Sequence, residues 1–236
     1  MDYERIFDEY YKQFDDNEYW INYKYNHIMR VRKYANIVAK SLNLSEEDLK
    51  LVDVCALFHD ISRFKQYATY HNFQDAMTFD HGDEGYNVLK ELGITDNVIL
   101  MCTKNHNKIK IDDSLDEKTK LMLSNIRDAD KLDIMIDLYN ELEDDKAIKV
   151  TDEIYEYYKH HQQLKNGMDT WDTSLFNMLR CIAFIFDLNY PASFDILKSQ
   201  DIINLKFNNI LKRINDPRVN ELREIINNYI NERMSD

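Results

Sequence analysis

An all-α fold is predicted, on two observations. Apolar residues recur at spacings of three and four through segment after segment, the period of helices with one buried face. Breakers are also scarce. The 236 residues contain four glycines and two prolines, too few for the many tight turns of a stranded fold.

Residues 3–17 read as a short amphipathic helix, with Tyr3, Ile6, Phe7, Tyr10, Tyr11 and Phe14 near one side. Residues 20–42 form the next. Its stripe is Ile28, Val31, Ala35, Val38, Ala39 and Leu42, with His27 on the border one turn before Val31. Ser45-Glu46-Glu47-Asp48 is a capping box. The helix it opens carries Leu49, Val52, Cys55, Ala56 and Phe58 and delivers His59-Asp60 at its end. Residues 66–80 are aromatic and polar and read as an ordered loop. A helix starting in Asp80–Gly85 runs to Leu92-Gly93, with Gly93 as its C′ residue. A helix over 96–105 leads to Asn105-His106-Asn107-Lys108, followed by a charged loop and a long helix over about 116–143. Residues 141–170 are acidic, tyrosine-rich and weakly periodic. A strong helix over 172–189 is ended by Tyr190-Pro191. Helices over about 193–213 and 217–233 close the chain, with Pro217 in a favourable first turn.

Composition narrows the function classes. Hydrophobic residues at 44% and charged residues at 31% suit a soluble globular chain. The net charge of −13 disfavours nucleic acid as a partner. Cys55, Cys102 and Cys181 are widely spaced in apolar runs and read as buried reduced thiols. Met1–Arg5 has no signal-peptide character, and the longest apolar stretch, Cys181 to Phe186, is far too short for a bilayer. The expectation is a cytoplasmic protein without a membrane partner.

The most informative stretch is Leu57-Phe58-His59-Asp60-Ile61-Ser62-Arg63-Phe64. Its apolar helix ends in an imidazole and a carboxylate, which are costly to bury unless something takes up their polar groups. A divalent metal is one such partner. Further candidate ligands are His27, His81, His106 and Asp130. Each also has an ordinary reading: a core-edge histidine, a helix-start residue, a helix-end imidazole and a surface charge. His71, His160 and His161 are read only in that ordinary way.

Taken in order, these residues resemble the HD-domain superfamily of metal-dependent phosphohydrolases. The likeness rests on His27, on Ala56-Leu57-Phe58-His59-Asp60-Ile61-Ser62-Arg63-Phe64 and on Asp128-Ala129-Asp130-Lys131-Leu132-Asp133, and covers roughly residues 20–140. It departs at Ser62, where glycine is common. The resemblance implies an HD-type helical bundle over 1–140, with 141–236 as a helical extension packed on the same domain. It implies that His27, His59, Asp60 and Asp130 hold one ion, with Asp60 able to bridge to a second. His81 and His106 match the extra histidines of binuclear members. Two imidazoles and two carboxylates suit Mn²⁺, Fe²⁺, Co²⁺, Ni²⁺ or Mg²⁺ better than a closed zinc site.

The function implied is cleavage of a phosphoester of a small metabolite, foremost a nucleotide, by metal-activated water. Arg63 is the foremost anion-binding and catalytic candidate beside Asp60. Lys108 and Lys131 are candidates for the same substrate, and Lys104 reads as a solvated charge. A di-iron oxygenase of the same superfamily and a non-catalytic metabolite sensor are the alternatives. The C-terminal helices would serve as a lid, contribute to a homodimer or complete the core.

Overall fold

The computed structural model describes residues 1–138, 149–165 and 173–235. Residues 139–148 and 166–172, which carry the expected end of the long helix and part of the acidic stretch, lie outside the described residues. Among the described residues the regular structure is helical throughout, and no helix is long and apolar enough to cross a membrane. The chain forms two compact units, Met1–Ala129 and Asp130–Asp236.

In the first unit, α1 (Tyr3–Tyr11) is capped by Asp2, which accepts from the Arg5 amide. It lays Phe7 against Phe58 and Phe64, with ring centroids 6.3 and 6.0 Å apart. Helix α2 (Tyr19–Ser41) buries the expected stripe Ile28, Val31, Ala35, Val38 and Ala39. It packs on α3 (Glu46–Phe58), and Arg32 on α2 pairs with Asp53 on α3. The capping box forms: Ser45 Oγ accepts from the Asp48 amide at 3.1 Å. Aromatic packing thus brackets the His59-Asp60 step, with Phe58 before it and Phe64 after it, both fully buried.

The 66–80 loop is a correction. Helix α4 (Ser62–Tyr70) runs through its first part. Phe64 and Gln66 turn inward while Lys65, Ala68 and Thr69 stay exposed, so the aromatic residues pack a helix side and do not break it. The break comes at His71, in the left-handed region with φ 49°, and a 3₁₀ turn at Asp75–Met77 follows.

Helix α5 (His81–Glu91) is capped by Asp80, which accepts from the Asp83 amide. It ends as expected at Gly93, where φ is +78°. The Gly93 and Ile94 amides donate back to the Lys90 and Leu89 carbonyls, a paired ending that needs the left-handed conformation glycine adopts freely. Helix α6 (Asn97–Asn105) is capped by Asp96 and packs on α5. The contact is so close that glycine is required on α5. A β-carbon on Gly82 would lie 2.5 Å from the Lys104 carbonyl oxygen, and one on Gly85 2.7 Å from the Thr103 methyl. Gly82→Ala is therefore expected to cost about 1–3 kcal/mol, read as a lowered denaturant midpoint, because backbone cannot yield as a flexible side chain can. An unchanged midpoint would contradict this packing. Helix α7 (Glu117–Asp137) begins in this unit.

The second unit holds α8 (Asp152–Lys159), α9 (Ser174–Ala183), α10 (Pro191–Ser199), α11 (Ile202–Leu211) and α12 (Pro217–Ser235). Helix α8 interrupts the stretch read as weakly periodic, with Thr151 as its N-cap. A 3₁₀ turn at Phe184–Asp187 follows α9. Pro191 opens α10 as well as closing what precedes it. The single helix expected over 193–213 is two, because Asp201 is left-handed with φ 51°. Helix α12 packs on α8, α10 and α11, burying Val219, Leu222, Ile226 and Ile230.

Candidate metal centre

Four helix termini or faces of the first unit converge on Asp60. His27 comes from the middle of α2. His59 caps the C-terminus of α3, and Asp60 follows it. His81 is the first residue of α5, and His106 caps the C-terminus of α6. All five side chains are buried. Asp60 Oδ2 faces His27 Nε2 at 3.4 Å and His59 Nε2 at 3.8 Å. Asp60 Oδ1 faces His106 Nε2 at 3.3 Å and His81 Nε2 at 3.6 Å. The carboxylate thus offers one oxygen to each histidine pair, and the five residues divide into two ligand triads that share it.

The imidazoles are set as ligands by what holds their far nitrogens. His59 Nδ1 lies 2.7 Å from the Ala56 carbonyl oxygen, and His106 Nδ1 lies 2.8 Å from that of Thr103. A carbonyl only accepts, so both rings carry their proton on Nδ1 and turn the Nε2 lone pair inward. His81 Nδ1 is 2.5 Å from Asp75 Oδ2, giving the same tautomer through a carboxylate. The inward nitrogens then crowd: His81 and His106 Nε2 are 3.1 Å apart, and His27 and His59 Nε2 are 3.4 Å apart. In the His81–His106 pair, where both Nδ1 atoms carry the proton, the facing lone pairs repel unless a cation lies against both. With metal–nitrogen bonds of about 2.1 Å, neighbouring ligands of an octahedral or tetrahedral ion sit about 3.0–3.4 Å apart. The donor set and its edges fit a divalent metal.

The backbone and outer side chains brace this arrangement. Ser62 Oγ, where glycine is common in the resembled family, donates to the His81 carbonyl at 2.6 Å and so ties the two histidine segments together. Arg127 on α7 donates to the carbonyls of His106, Lys108 and Ile109, fixing the turn after α6. Gln66 Nε2 donates to Asp75 Oδ1 at 3.1 Å.

Two cations flank the carboxylate. Lys24 Nζ donates to Asp60 Oδ2 at 2.8 Å. Arg63 Nε approaches Asp60 Oδ1 at 3.5 Å without forming a hydrogen bond. Burial works to raise the Asp60 carboxyl, but the Lys24 charge beside it leads the effects that outweigh burial and hold the group well below the usual carboxylate range. The guanidinium of Arg63 is taken up by protein: Nη1 donates to Gln66 Oε1, the Phe73 carbonyl and Asp75 Oδ1, and Nη2 faces His81 Nε2 at 3.3 Å. Lys108 pairs with Asp80 at 2.7 Å and Asp83 at 3.3 Å. Lys131 pairs with Asp187 at 2.8 Å within the second unit. Asp130 is the first residue of that unit, half-buried on α7, and its ligand role stands on the sequence resemblance.

Lys24, Asp75, Gln66 and Arg127 were not singled out by the sequence. For Lys24 a signal existed, since it precedes His27 by three residues and shares its side of α2. Asp75 had none, because only the 3₁₀ turn aims it at His81.

Burial pushes the His81 pKa down from 6.5 to about 4, against the hydrogen bond His81 donates to Asp75 and with help from the Arg63 charge. The ring is neutral near pH 7, as a ligand must be. Between about pH 6.5 and 4 the unfolded chain takes up a proton here and the folded chain does not, so stability rises with pH through that window. In chelator-treated protein the loss from this group is absent above pH 6.5 and complete below about 4, on the order of 3 kcal/mol. Denaturant titrations at several pH values check it, and His81→Gln should flatten the slope.

A family model described as HD domain matches residues 25–143. No curated protein matches the chain, and no solved structure does.

Proposed function

This chain belongs to the HD-domain superfamily of metal-dependent phosphohydrolases, and from that premise we propose that it hydrolyses a phosphoester of a small metabolite, foremost a nucleotide. The observation that carries the reading is the shared carboxylate: each oxygen of Asp60 faces its own pair of inward-turned imidazoles. His27, His59 and Asp60 would hold one divalent ion, with Asp130 added by resemblance. Asp60, His81 and His106 would hold a second. A divalent metal in such a set supplies activated water and offsets phosphate charge.

The chain's own residues do the rest. The Nδ1 contacts of His59, His81 and His106 keep lone pairs aimed inward before any ion arrives, so little reorganisation is needed. Lys24, only partly buried beside Asp60, can release its carboxylate oxygen and meet an incoming phosphate instead. Arg63 holds Asp75, and through it the orientation of His81.

The test is turnover of a panel of nucleotides and phosphomonoesters and diesters with Mn²⁺, Co²⁺, Ni²⁺ or Mg²⁺ added. Release of phosphate or nucleoside in the metal-loaded protein and its loss with chelator support the reading. No turnover with any metal sinks it, and oxygen-dependent substrate loss with bound iron would point to the oxygenase instead.

A further inference from the structure

One side of α2 runs from solvent to the metal centre. Trp20, Lys24 and His27 follow at intervals of four and three residues, which stacks them along one helix face. His27 is buried among the ligands, Lys24 contacts Asp60, and Trp20 is 41% exposed. Around Trp20 the surface is aromatic. Its ring lies 5.5 Å from that of Tyr23, 6.1 Å from Phe73 and 6.5 Å from Tyr67, and the Tyr67 and Phe73 rings are 5.1 Å apart.

Phe73 joins this cluster to the centre. Lys24 Nζ sits 5.3 Å from its ring centroid and the Arg63 guanidinium 5.8 Å from it, and these are the two cations that flank Asp60. Anchoring the 71–80 segment accounts for Tyr67 and Phe73, which are half-buried. It does not account for leaving an indole at the surface beside them, since packing alone would favour burying so large an apolar face. From Trp20 to Lys24 the helix rises roughly 6 Å, the order of the separation between a base and its 5′-phosphate across one ribose.

We infer that Trp20, set at a steep angle to Tyr67 and Phe73, offers its π-face as the stacking shelf for the base of a nucleotide whose phosphate lies at Lys24 beside Asp60. The inference rests on the phosphohydrolase reading and assigns the residues that would hold the base. An aromatic shelf takes any base through its π-face, while the cation takes the phosphate. Affinity for the base and affinity for the phosphate are then separable in this chain.

The experiment uses isothermal titration of the full chain loaded with Mn²⁺. The probes are the 5′-methylenephosphonate analogues of adenosine, guanosine, cytidine and uridine, whose P–C bond resists hydrolysis, and ribose 5-methylenephosphonate, which has no base. At least one nucleoside analogue is expected to bind about tenfold tighter than the base-free probe. Trp20→Ala should reduce that ratio to about threefold or less, and so should Trp20→Leu, which keeps an apolar contact with Tyr23 but removes the π-face. Lys24→Met should weaken every probe and preserve the ratio. The shelf is overturned if no probe binds, if no nucleoside analogue exceeds the base-free probe, or if the ratio survives both Trp20 variants. Base-dependent binding without turnover of any phosphoester would remove the hydrolase reading and leave the shelf. Turnover with base-independent binding would do the reverse.

Discussion

Asp60→Ala is expected to strip metal from both halves of the centre and to lower turnover by at least about a thousandfold. Asp60 is the only carboxylate in either triad of the first unit, and the two triads share it. Without it the pairs His27–His59 and His81–His106 are neutral donors with nothing to hold them to a common ion. Lys24 would then face the site without its carboxylate partner and repel a divalent cation, while Arg63 keeps its pairing with Asp75. The fold should survive, because Lys24 is partly exposed and can turn its ammonium to water, while the apolar frame of Phe58, Ile61 and Phe64 is untouched. Metal content per chain by mass spectrometry, turnover with excess Mn²⁺ and a thermal melt in chelator check the three parts. Full activity, or two retained ions, would remove Asp60 from the centre of the mechanism.

His81→Ala and His106→Ala are each expected to lower the bound metal from two ions toward one. These imidazoles face Asp60 Oδ1 only, whereas His27 and His59 face Oδ2, so each deletion should empty one side and spare the other. His106→Ala also removes the partner of the Thr103 carbonyl, while the Arg127 bond to the backbone carbonyl at position 106 stays and holds the turn. For His81 the equivalent support is Asp75, so Asp75→Asn should weaken the same ion by about 10–100-fold without removing a ligand. Equilibrium titration with Co²⁺ or Mn²⁺ reads both stoichiometry and affinity. One ion in the unaltered protein and no change in either histidine variant would leave only the triad of His27, His59 and Asp60.

Several features of this arrangement were open to inspection in the residue order. The apolar run Leu57-Phe58 before His59-Asp60 marked a helix that ends in ligands, and that helix ends at Phe58. Asp80 before His81 and Gly93 after Leu92 marked both ends of α5, because capping is local chemistry that depends on neighbours a few residues away. Helix α2 was legible from its stripe for the same reason. Helix α4 was not: its aromatic residues look like loop residues until Phe64 is seen against Phe7 and Tyr11. The break at Asp201 depends on one left-handed residue that polar composition alone does not single out.

The residue order was enough for an all-α chain and for the helices whose caps and stripes are local, and a family resemblance named His27, His59, Asp60, His81, His106 and Asp130 as candidate ligands, the first five of which meet at the first unit's centre. Packing set how those five divide into two triads on the two oxygens of one carboxylate, since that depends on where the middle of α2 and the ends of α3, α5 and α6 lie relative to one another. It also decided that Asp75 orients His81, that Lys24 neutralises Asp60 and that Arg63 is spent largely on protein partners. The physical reason is range. Periodicity and capping act within one or two turns, whereas ligand geometry and charge pairing join residues dozens of positions apart that only packing brings within a few ångströms.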